Sequence, residues 1–110
     1  MKINKRIESH FPEYRKKGAF IDCTISFKDH VCHAHRIILA KYSKYFFKEF
    51  TTNFQTPYVF KPTYDPQDML EKVIDFFYEN SIDITPDNVI ALLAISHYYQ
   101  MKNLEEIVIS

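Results

Sequence analysis

Residues 32–46 read CHAHRIILAKYSKYF, and this stretch decides how the chain folds. Its middle predicts a short helix over Ala34 to Ala40. Ser43 follows at a position where its hydroxyl can cap the start of a second short helix. The apolar residues of the two helices are Ile37, Ile38, Leu39, Tyr45, Phe46, Phe47 and Phe50. The stretch therefore predicts two helices in direct succession.

A hairpin is predicted just before these helices. From Phe20 the hydrophobic pattern alternates every second residue, as in a strand with one buried face. Asp29-His30 predicts a tight turn in which Asp29 takes a left-handed backbone, and Val31-Cys32-His33 returns as the second strand. The buried face of the first strand is formed by Ile21, Cys23, Ile25 and Phe27.

The first 17 residues predict a modest helix or a helix with an arm, because apolar residues recur three or four positions apart. Pro12 either begins this helix or ends an earlier segment, and Gly18 ends the element. The apolar positions are Ile3, Ile7, Phe11 and Tyr14. We assign residues 1–10 to an N-terminal arm or helix extension and residues 11–110 to the domain itself.

The second half predicts an edge strand and three helices. Tyr58-Val59-Phe60 is a short strand between two prolines, which suits a sheet edge. A helix begins at Asp65-Pro66 and runs to about Tyr78, with Asn80 as its left-handed stop. Its inward residues are Met69, Leu70, Val73, Ile74 and Phe77.

Two more helices follow in the last 26 residues. Thr85-Pro86-Asp87-Asn88 begins the first of them, in the same way as Asp65-Pro66 begins its helix. Asn103 is predicted to cap the second, which covers Leu104 to Ile109. The inward residues of the first are Val89, Leu92, Leu93, Ser96 and Tyr99.

The composition excludes several classes of protein. Ten Phe and eight Tyr in 110 residues, with no net charge, exclude intrinsic disorder. No apolar stretch approaches the ~20 residues that cross a bilayer, and no secretory signal is expected at the start. Two cysteines favour a reducing, intracellular setting. The single glycine, Gly18, excludes the glycine-rich loops of nucleotide-binding enzymes.

The zero net charge is the sum of two opposite halves. Residues 1–50 hold 11 basic and 5 acidic side chains, and residues 51–110 hold 3 basic and 9 acidic ones. Either the two halves attract within one domain, or opposite faces can meet on another copy. Nucleic-acid binding is disfavoured because the lysines are scattered and the acidic half would repel phosphate.

Clusters of reactive side chains are better explained as structural. His30, Cys32, His33 and His35 are close in sequence, but a strand sends Cys32 inward and His33 outward, so we expect no metal site. Neither cysteine lies in a recognisable nucleophile motif. The acidic residues from Asp65 to Glu79 fit the solvated face of a helix. We therefore expect no enzyme and no cofactor.

The residues in this order resemble the BTB/POZ domain signature. The match includes Phe20 to Ile25, the run from residue 32 to residue 46, and Val73 to Tyr78. It covers about residues 11–109, ending with Tyr99-Gln100-Met101 and Leu104. The resemblance implies an α+β fold, in which five or six helices are flanked by a small three-stranded sheet.

The resemblance also implies a protein–protein interaction module that forms a homodimer within a longer intracellular protein, cytoplasmic or nuclear. Phe11 and Tyr14 are the expected dimer contacts. Asp22 and Arg36 match a charged pocket at the dimer groove, where we expect a buried ion pair. His35 matches a family histidine, which we expect to be buried and hydrogen-bonded to the backbone. No nucleic acid or membrane is expected to bind this domain.

An alternative function is that of a substrate adaptor that recruits a cullin-3 ubiquitin ligase or another regulatory protein. Family adaptors commonly carry an apolar residue and a glutamate in the loop before the third strand. At the matching position this chain has Phe54-Gln55-Thr56, which keeps the apolar anchor and lacks the glutamate. Phe54 is therefore the candidate contact for cullin-3.

Overall fold

Six α-helices and three short strands follow one another along residues 10–110, the part of the chain that the computed structural model describes. Residues 1–9 of the predicted arm over residues 1–10, including Ile3 and Ile7, lie outside the described residues. In chain order the elements are α1 (Phe11–Lys17), β1 (Cys23–Ser26), β2 (Val31–Ala34), α2 (Arg36–Tyr42), α3 (Lys44–Thr52), β3 (Val59–Phe60), α4 (Leu70–Glu79), α5 (Val89–Tyr98) and α6 (Lys102–Ile109). The predicted α+β class is confirmed.

The three strands form one sheet in the order β2-β1-β3. β1 and β2 are antiparallel, with Cys23 opposite Ala34, and β3 runs parallel to β1 at the sheet edge, as its flanking prolines predict. The predicted alternation is confirmed inside the strands, where Cys23, Ile25 and Cys32 are buried and His33 is exposed. Ile21 and Phe27, predicted on the same buried face, lie beyond the ends of β1 and are only half-buried. The sheet thus buries one face against the helices.

Left-handed residues end two helices as predicted, but the hairpin turn is made differently. Gly18 ends α1 with φ 69° and Asn80 ends α4 with φ 60°. Asp29 is not among the residues of positive φ in the described chain, so its predicted left-handed backbone is wrong. The turn is closed by the backbone N–H of Phe27, which donates to the carbonyl of His30 at 2.8 Å.

Ser43 joins α2, α3 and α5. Its Oγ accepts from the backbone N–H of Phe46 at 3.1 Å, which confirms the predicted cap, and it donates to the carbonyl of Tyr99 at 2.6 Å. Ile37 is 67% exposed, so its predicted place on the buried face of α2 is wrong. Three consecutive helical residues span about 200° of the helix surface, and Ile38 and Leu39 already fill the side that meets the core.

The helix α4 begins at Leu70 instead of Pro66, which corrects the prediction. Gln67 and Asp68 both have a φ of 56°, and this left-handed backbone breaks the helical path after Pro66. The Asp65 carboxylate still caps the helix, because it accepts from the Leu70 backbone N–H at 2.8 Å. The inward residues were predicted correctly: Met69, Leu70, Val73, Ile74 and Phe77 are all buried.

The last two helices begin close to their predicted positions. Thr85 and Asn88 bond reciprocally, each side chain accepting from the other's backbone N–H, at 3.2 and 2.8 Å, and α5 follows. Asn103 does not cap α6, which begins one residue earlier at Lys102. Val89 and Leu93 are only half-buried, and Ile95 is buried in addition to Leu92 and Ser96.

The core lies between the sheet and α2 to α6 and is rich in aromatic rings. Tyr99 is fully buried, stacks on Phe46 with ring centroids 5.7 Å apart, and donates its hydroxyl to the carbonyl of Tyr64 at 2.6 Å. Every buried side-chain nitrogen and oxygen in residues 10–110 has a hydrogen-bond partner. These contacts fix the helices on which the candidate site is built.

Candidate interaction surface

A series of aromatic rings leads from the core to the surface along α1. The ring of Phe11 packs edge-on against buried His35, with centroids 4.8 Å apart, and the ring of Tyr14 lies 5.7 Å from that of Phe11. Tyr14 in turn contacts Phe20 at 5.2 Å. We call α1, Phe20 and the adjoining Asp22–Arg36 pair the α1 surface. No residue of α1 is fully buried, so this helix is only half covered by its own domain.

His35 fixes the base of the α1 surface. Its Nε2 donates to the carbonyl of Ala19 at 2.9 Å, as expected for a buried histidine bonded to the backbone. The Tyr78 hydroxyl lies 2.9 Å from Nδ1 of His35 and accepts from the His35 backbone N–H at 2.8 Å. A neutral His35 with its proton on Nε2 satisfies all three bonds. Burial raises the pKa of Tyr78 to about 12, so this hydroxyl stays protonated at neutral pH.

Arg15 anchors α1 to the rest of the domain, a role that sequence reasoning missed. Its Nε donates to the carbonyl of His33 at 2.8 Å, its Nη1 donates to Asp75 at 2.7 Å, and its guanidinium lies over the ring of Tyr78, 4.6 Å from the centroid. The sequence did contain a signal for this role. Acidic residues recur at every fourth position of α4, namely Glu71, Asp75 and Glu79, and such a row predicts basic partners on a neighbouring element.

Asp22 and Arg36 are brought together, but they are not buried. Nε of Arg36 lies 3.3 Å from Oδ2 of Asp22, and the side chains are 35% and 45% exposed. The expected buried ion pair is therefore wrong for the single chain, because Asp22 lies just before the first residue of β1, beside the exposed start of α2. The Asp22 carboxylate has a second role: its Oδ1 accepts from the backbone N–H of Arg36 at 2.7 Å.

His30 lies between two carboxylates at the tip of the hairpin. Its Nδ1 is 2.6 Å from Oδ1 of Asp29, and its Nε2 is 2.7 Å from Oε1 of Glu71 on α4. The hydrogen bond from His30 lowers the pKa of Asp29, and the two carboxylates raise the pKa of His30. These three residues line an open cavity of about 830 Å³ together with Asp65, Asp68, Lys28 and Lys61.

The two cysteines are unsuited to nucleophilic chemistry. Cys23 and Cys32 are free thiols in the core, and burial raises their pKa values to about 12 and about 11. A protonated thiol is a poor nucleophile. In the described part of the chain, no three His, Cys, Asp or Glu side chains are placed to hold a metal ion. None of the helices in residues 10–110 is both long and apolar enough to span a membrane.

Phe54 stands apart from the α1 surface. It lies in the loop between α3 and β3 and is 80% exposed, and among residues 10–110 no aromatic ring packs against it. Phe47 on α3 is also exposed, at 58%. The structure therefore brings Phe11, Tyr14, Asp22 and Arg36 to one surface and leaves Phe54 on a separate one.

Comparison with known proteins identifies this architecture. A family model of the BTB/POZ domain matches residues 11–110, nearly the whole chain. This chain belongs to the BTB/POZ domain family. The BTB domain of zebrafish PATZ1 has the same fold, with a TM-score of 0.78 at 19% identity, over 97% of this chain and 94% of that one. The BTB/POZ fold predicted from the sequence is confirmed.

Relatives of this BTB/POZ domain are much longer proteins. It is similar to Kelch-like protein 41a of Danio rerio, with 27% identity over 89% of this chain and 17% of the relative. The Kelch repeat protein M-T8 of myxoma virus is 31% identical over 86% of this chain, and the protein bric-a-brac 2 of Drosophila melanogaster is 28% identical over 88%. The domain spans 19% and 9% of those two proteins. It is a protein–protein interaction module.

Proposed function

We propose that this BTB/POZ domain mediates homodimerisation of a longer protein through its α1 surface. The proposal rests on the incomplete cover of α1: none of its residues is fully buried, although Phe11 and Arg15 contact the buried rings of His35 and Tyr78. Phe11 and Tyr14 are the aromatic residues of this helix, and both are only partly buried; Phe11 packs against His35, and Tyr14 lies farther from the core. Apolar side chains left accessible in this way are typical of interface anchors.

Gel filtration coupled to light scattering tests the proposal. We expect twice the mass of one chain at high micromolar concentration, and a single-chain mass for the variant Tyr14→Glu, which places a charge in the interface. Ile90→Glu is the matched control, because Ile90 is 71% exposed on α5, outside the α1 surface. A wild-type domain that remains a monomer at high micromolar concentration contradicts the proposal.

A second candidate function is recruitment of a cullin-3 ubiquitin ligase through Phe54. The 80% exposure of this ring supports it, because the apolar anchor of the adaptor motif must be free to enter a partner. Titration calorimetry with the N-terminal region of cullin-3 tests it, and Phe54→Ala should abolish the heat of binding. Absence of heat with the wild-type domain would dismiss this function while leaving dimerisation untouched.

We propose that the full protein lies in the cytoplasm or nucleus. We also propose that this domain has no catalytic activity and that it binds neither nucleic acid nor membrane. Two free thiols fit a reducing compartment, and their raised pKa values disfavour thiol catalysis. Fluorescence microscopy of a tagged full-length protein tests the location. Secretion or a membrane-bound pattern would contradict it.

A further inference from the structure

The tip of the hairpin between β1 and β2 reaches α4 through the side chain of His30. Nε2 of this ring lies 2.7 Å from Oε1 of Glu71 on α4, and Nδ1 lies 2.6 Å from Oδ1 of the neighbouring Asp29. The ring also stacks on that of Phe27, with centroids 4.9 Å apart. His30 therefore has two partners within its own hairpin and one on α4.

Only a protonated ring can donate to both carboxylates. An ionised carboxylate accepts hydrogen bonds and donates none, whereas a neutral imidazole carries one N–H and one lone pair. At separations of 2.6 and 2.7 Å, a neutral His30 would place its lone pair against one of the two carboxylates. The observed geometry is thus that of an imidazolium, which donates from one nitrogen to Asp29 and from the other to Glu71.

The charges around His30 change the attraction between two parts of the chain. An open cavity of about 830 Å³ is lined by the hairpin tip and by residues 61–71. The charged groups of the hairpin tip are Lys28, Asp29 and His30, so its net charge is +1 with a protonated ring and 0 with a neutral one. Residues 61–71 line the cavity with one base and three acids, a net charge of −2: Lys61, Asp65, Asp68 and Glu71. Loss of the proton therefore removes the attraction between the two parts.

We propose that His30 is a pH-sensitive latch, which holds the hairpin tip against α4 when its ring is protonated and releases it when the ring is neutral. The contact with Glu71 is the one that opens, because Asp29 and Phe27 move with His30 on the same hairpin. Release widens the cavity, since residues 26–30 form part of its lining. The two carboxylates raise the pKa of His30, so the transition lies above pH 6.5.

The nuclear Overhauser effect between the ring protons of His30 and the methylene protons of Glu71 tests the latch. We expect this signal below the pKa of His30 and its loss above it. The signal between the rings of His30 and Phe27 is the internal control and should persist at every pH, because both residues belong to the hairpin. A His30–Glu71 signal of equal intensity on both sides of the titration overturns the proposal. Loss of both signals together would show that the hairpin itself unfolds, and this also overturns it.

The variant Glu71→Gln tests the role of the carboxylate. A side-chain amide can accept from a ring N–H or donate to a ring lone pair, so it can bond His30 in either protonation state. The signal between His30 and the substituted side chain should therefore be independent of pH. A pH-dependent loss as large as that of the wild type would show that Glu71 does not control the latch.

Amide hydrogen exchange measures the same transition from the backbone. The N–H of Phe27 is the reporter, because it donates to the His30 carbonyl at 2.8 Å and closes the turn. Below the pKa of His30 it should exchange about 2- to 5-fold more slowly in the wild type than in His30→Gln, the factor typical of exposed ion pairs, and above it at the same rate.

His33→Gln is the matched control for the exchange measurement. His33 is an exposed histidine of the same hairpin, and its side chain makes no hydrogen bond within residues 10–110. This variant should match the wild type at every pH. Equal exchange in the wild type and His30→Gln below the pKa overturns the latch, as does an equal effect of the two substitutions. Neither readout requires the domain to be a dimer, so the latch and the proposed function can fail separately.

Discussion

Nη1 of Arg15 lies 2.7 Å from Oδ1 of Asp75, and this ion pair joins the basic half of the chain to the acidic half. One helical turn earlier on α4, Glu71 contacts His30 at 2.7 Å. Acidic residues four positions apart on α4 therefore face basic residues from α1 and from the hairpin. The split charge allowed two possibilities, attraction between the halves of one domain or contact between opposite faces of two copies. These contacts are an example of the first.

Arg15→Ala should reduce the free energy of unfolding by about 1.5–3 kcal/mol, the usual range for hydrogen bonds that involve a charged group. The side chain is only 17% exposed, and it loses its bonds to His33 and Asp75 and its contact with the Tyr78 ring. Asp75→Asn should cost less, about 0.5–1 kcal/mol, because Asp75 is 44% exposed and water screens the pair. Urea unfolding measures both.

Lys17→Ala provides the control for these two variants. Lys17 forms an ion pair with Glu13 at 2.9 Å, but the two side chains are 69% and 62% exposed. Exposed pairs of this kind contribute little to stability. A loss for Lys17→Ala equal to that for Arg15→Ala would contradict the assignment of Arg15 as the anchor of α1.

His30 should titrate above the ordinary histidine value of 6.5, because Asp29 and Glu71 both accept from its protonated ring. Glu71→Gln should lower its pKa, as measured from the ring proton shifts in an NMR titration. Asp68→Asn is the matched control, since Asp68 lines the same cavity and its side chain makes no hydrogen bond to His30. An equal shift in the two variants would show that the general negative charge of the cavity, not the Glu71 contact, sets the pKa.

The direction of the pH dependence follows from the sign of this shift. The folded pKa of His30 is raised, so its contribution to stability is fully present below pH 6.5 and is lost as the pH rises through the folded pKa. The wild-type domain should therefore lose stability over this interval relative to Glu71→Gln. Both nitrogens lie at the surface, and salt should reduce the difference.

Most buried apolar positions were predictable from the sequence, with Ile37 an exception, while local backbone breaks were not. The inward residues of α4 follow from their spacing, and the cap at Ser43 follows from its hydroxyl. The left-handed backbone at Gln67 and Asp68, which delays α4, has no signal in residue type, because Asp65-Pro66 also fits a regular helix start.

The candidate site was predictable where it depends on residue identity and not where it depends on exposure. Asp22 and Arg36 do form a pair, but only the structure shows that the pair reaches the surface. Phe20 fits the start of an alternating strand in sequence, and its exposure arises from a turn that ends two residues before β1. The acidic row on α4 indicates a basic partner, but only the structure shows that this partner is Arg15.

Tyr78→Phe should destabilise the domain by about 2–3 kcal/mol, because it removes one hydroxyl that serves two buried groups of His35. The backbone N–H and Nδ1 of His35 would then have no partner in the core. Tyr42→Phe is the control: its ring stacks on Phe77 at 4.8 Å, and its hydroxyl makes no hydrogen bond within the described residues. Thermal unfolding of both variants should separate the lost hydrogen bonds from the change of residue type.

Asp22 and Arg36 should contribute unequally to stability. Asp22→Ala removes the acceptor of the Arg36 backbone N–H at the start of α2 and should cost about 1 kcal/mol, as for the loss of a helix cap. Arg36→Ala removes only a half-exposed ion pair and should cost about 0.5 kcal/mol or less in the monomer. Asp22→Asn keeps an oxygen acceptor and should recover most of the loss. Equal effects of Asp22→Ala and Asp22→Asn would show that charge, and not the cap, is what matters.

Cys23 and Cys32 should react slowly with a thiol reagent in the folded domain. Burial raises their pKa values to about 12 and about 11, against an ordinary value of 9.0, so even the less shifted thiol has about 100-fold less thiolate at neutral pH. Both are also inaccessible, since Cys23 is 2% and Cys32 8% exposed. We expect two slow reactions in buffer and two fast ones in denaturant, followed by absorbance of the released chromophore. One fast cysteine in the folded domain would contradict the structural role of the thiols and reopen the question of thiol chemistry, because rapid attack requires an accessible thiolate.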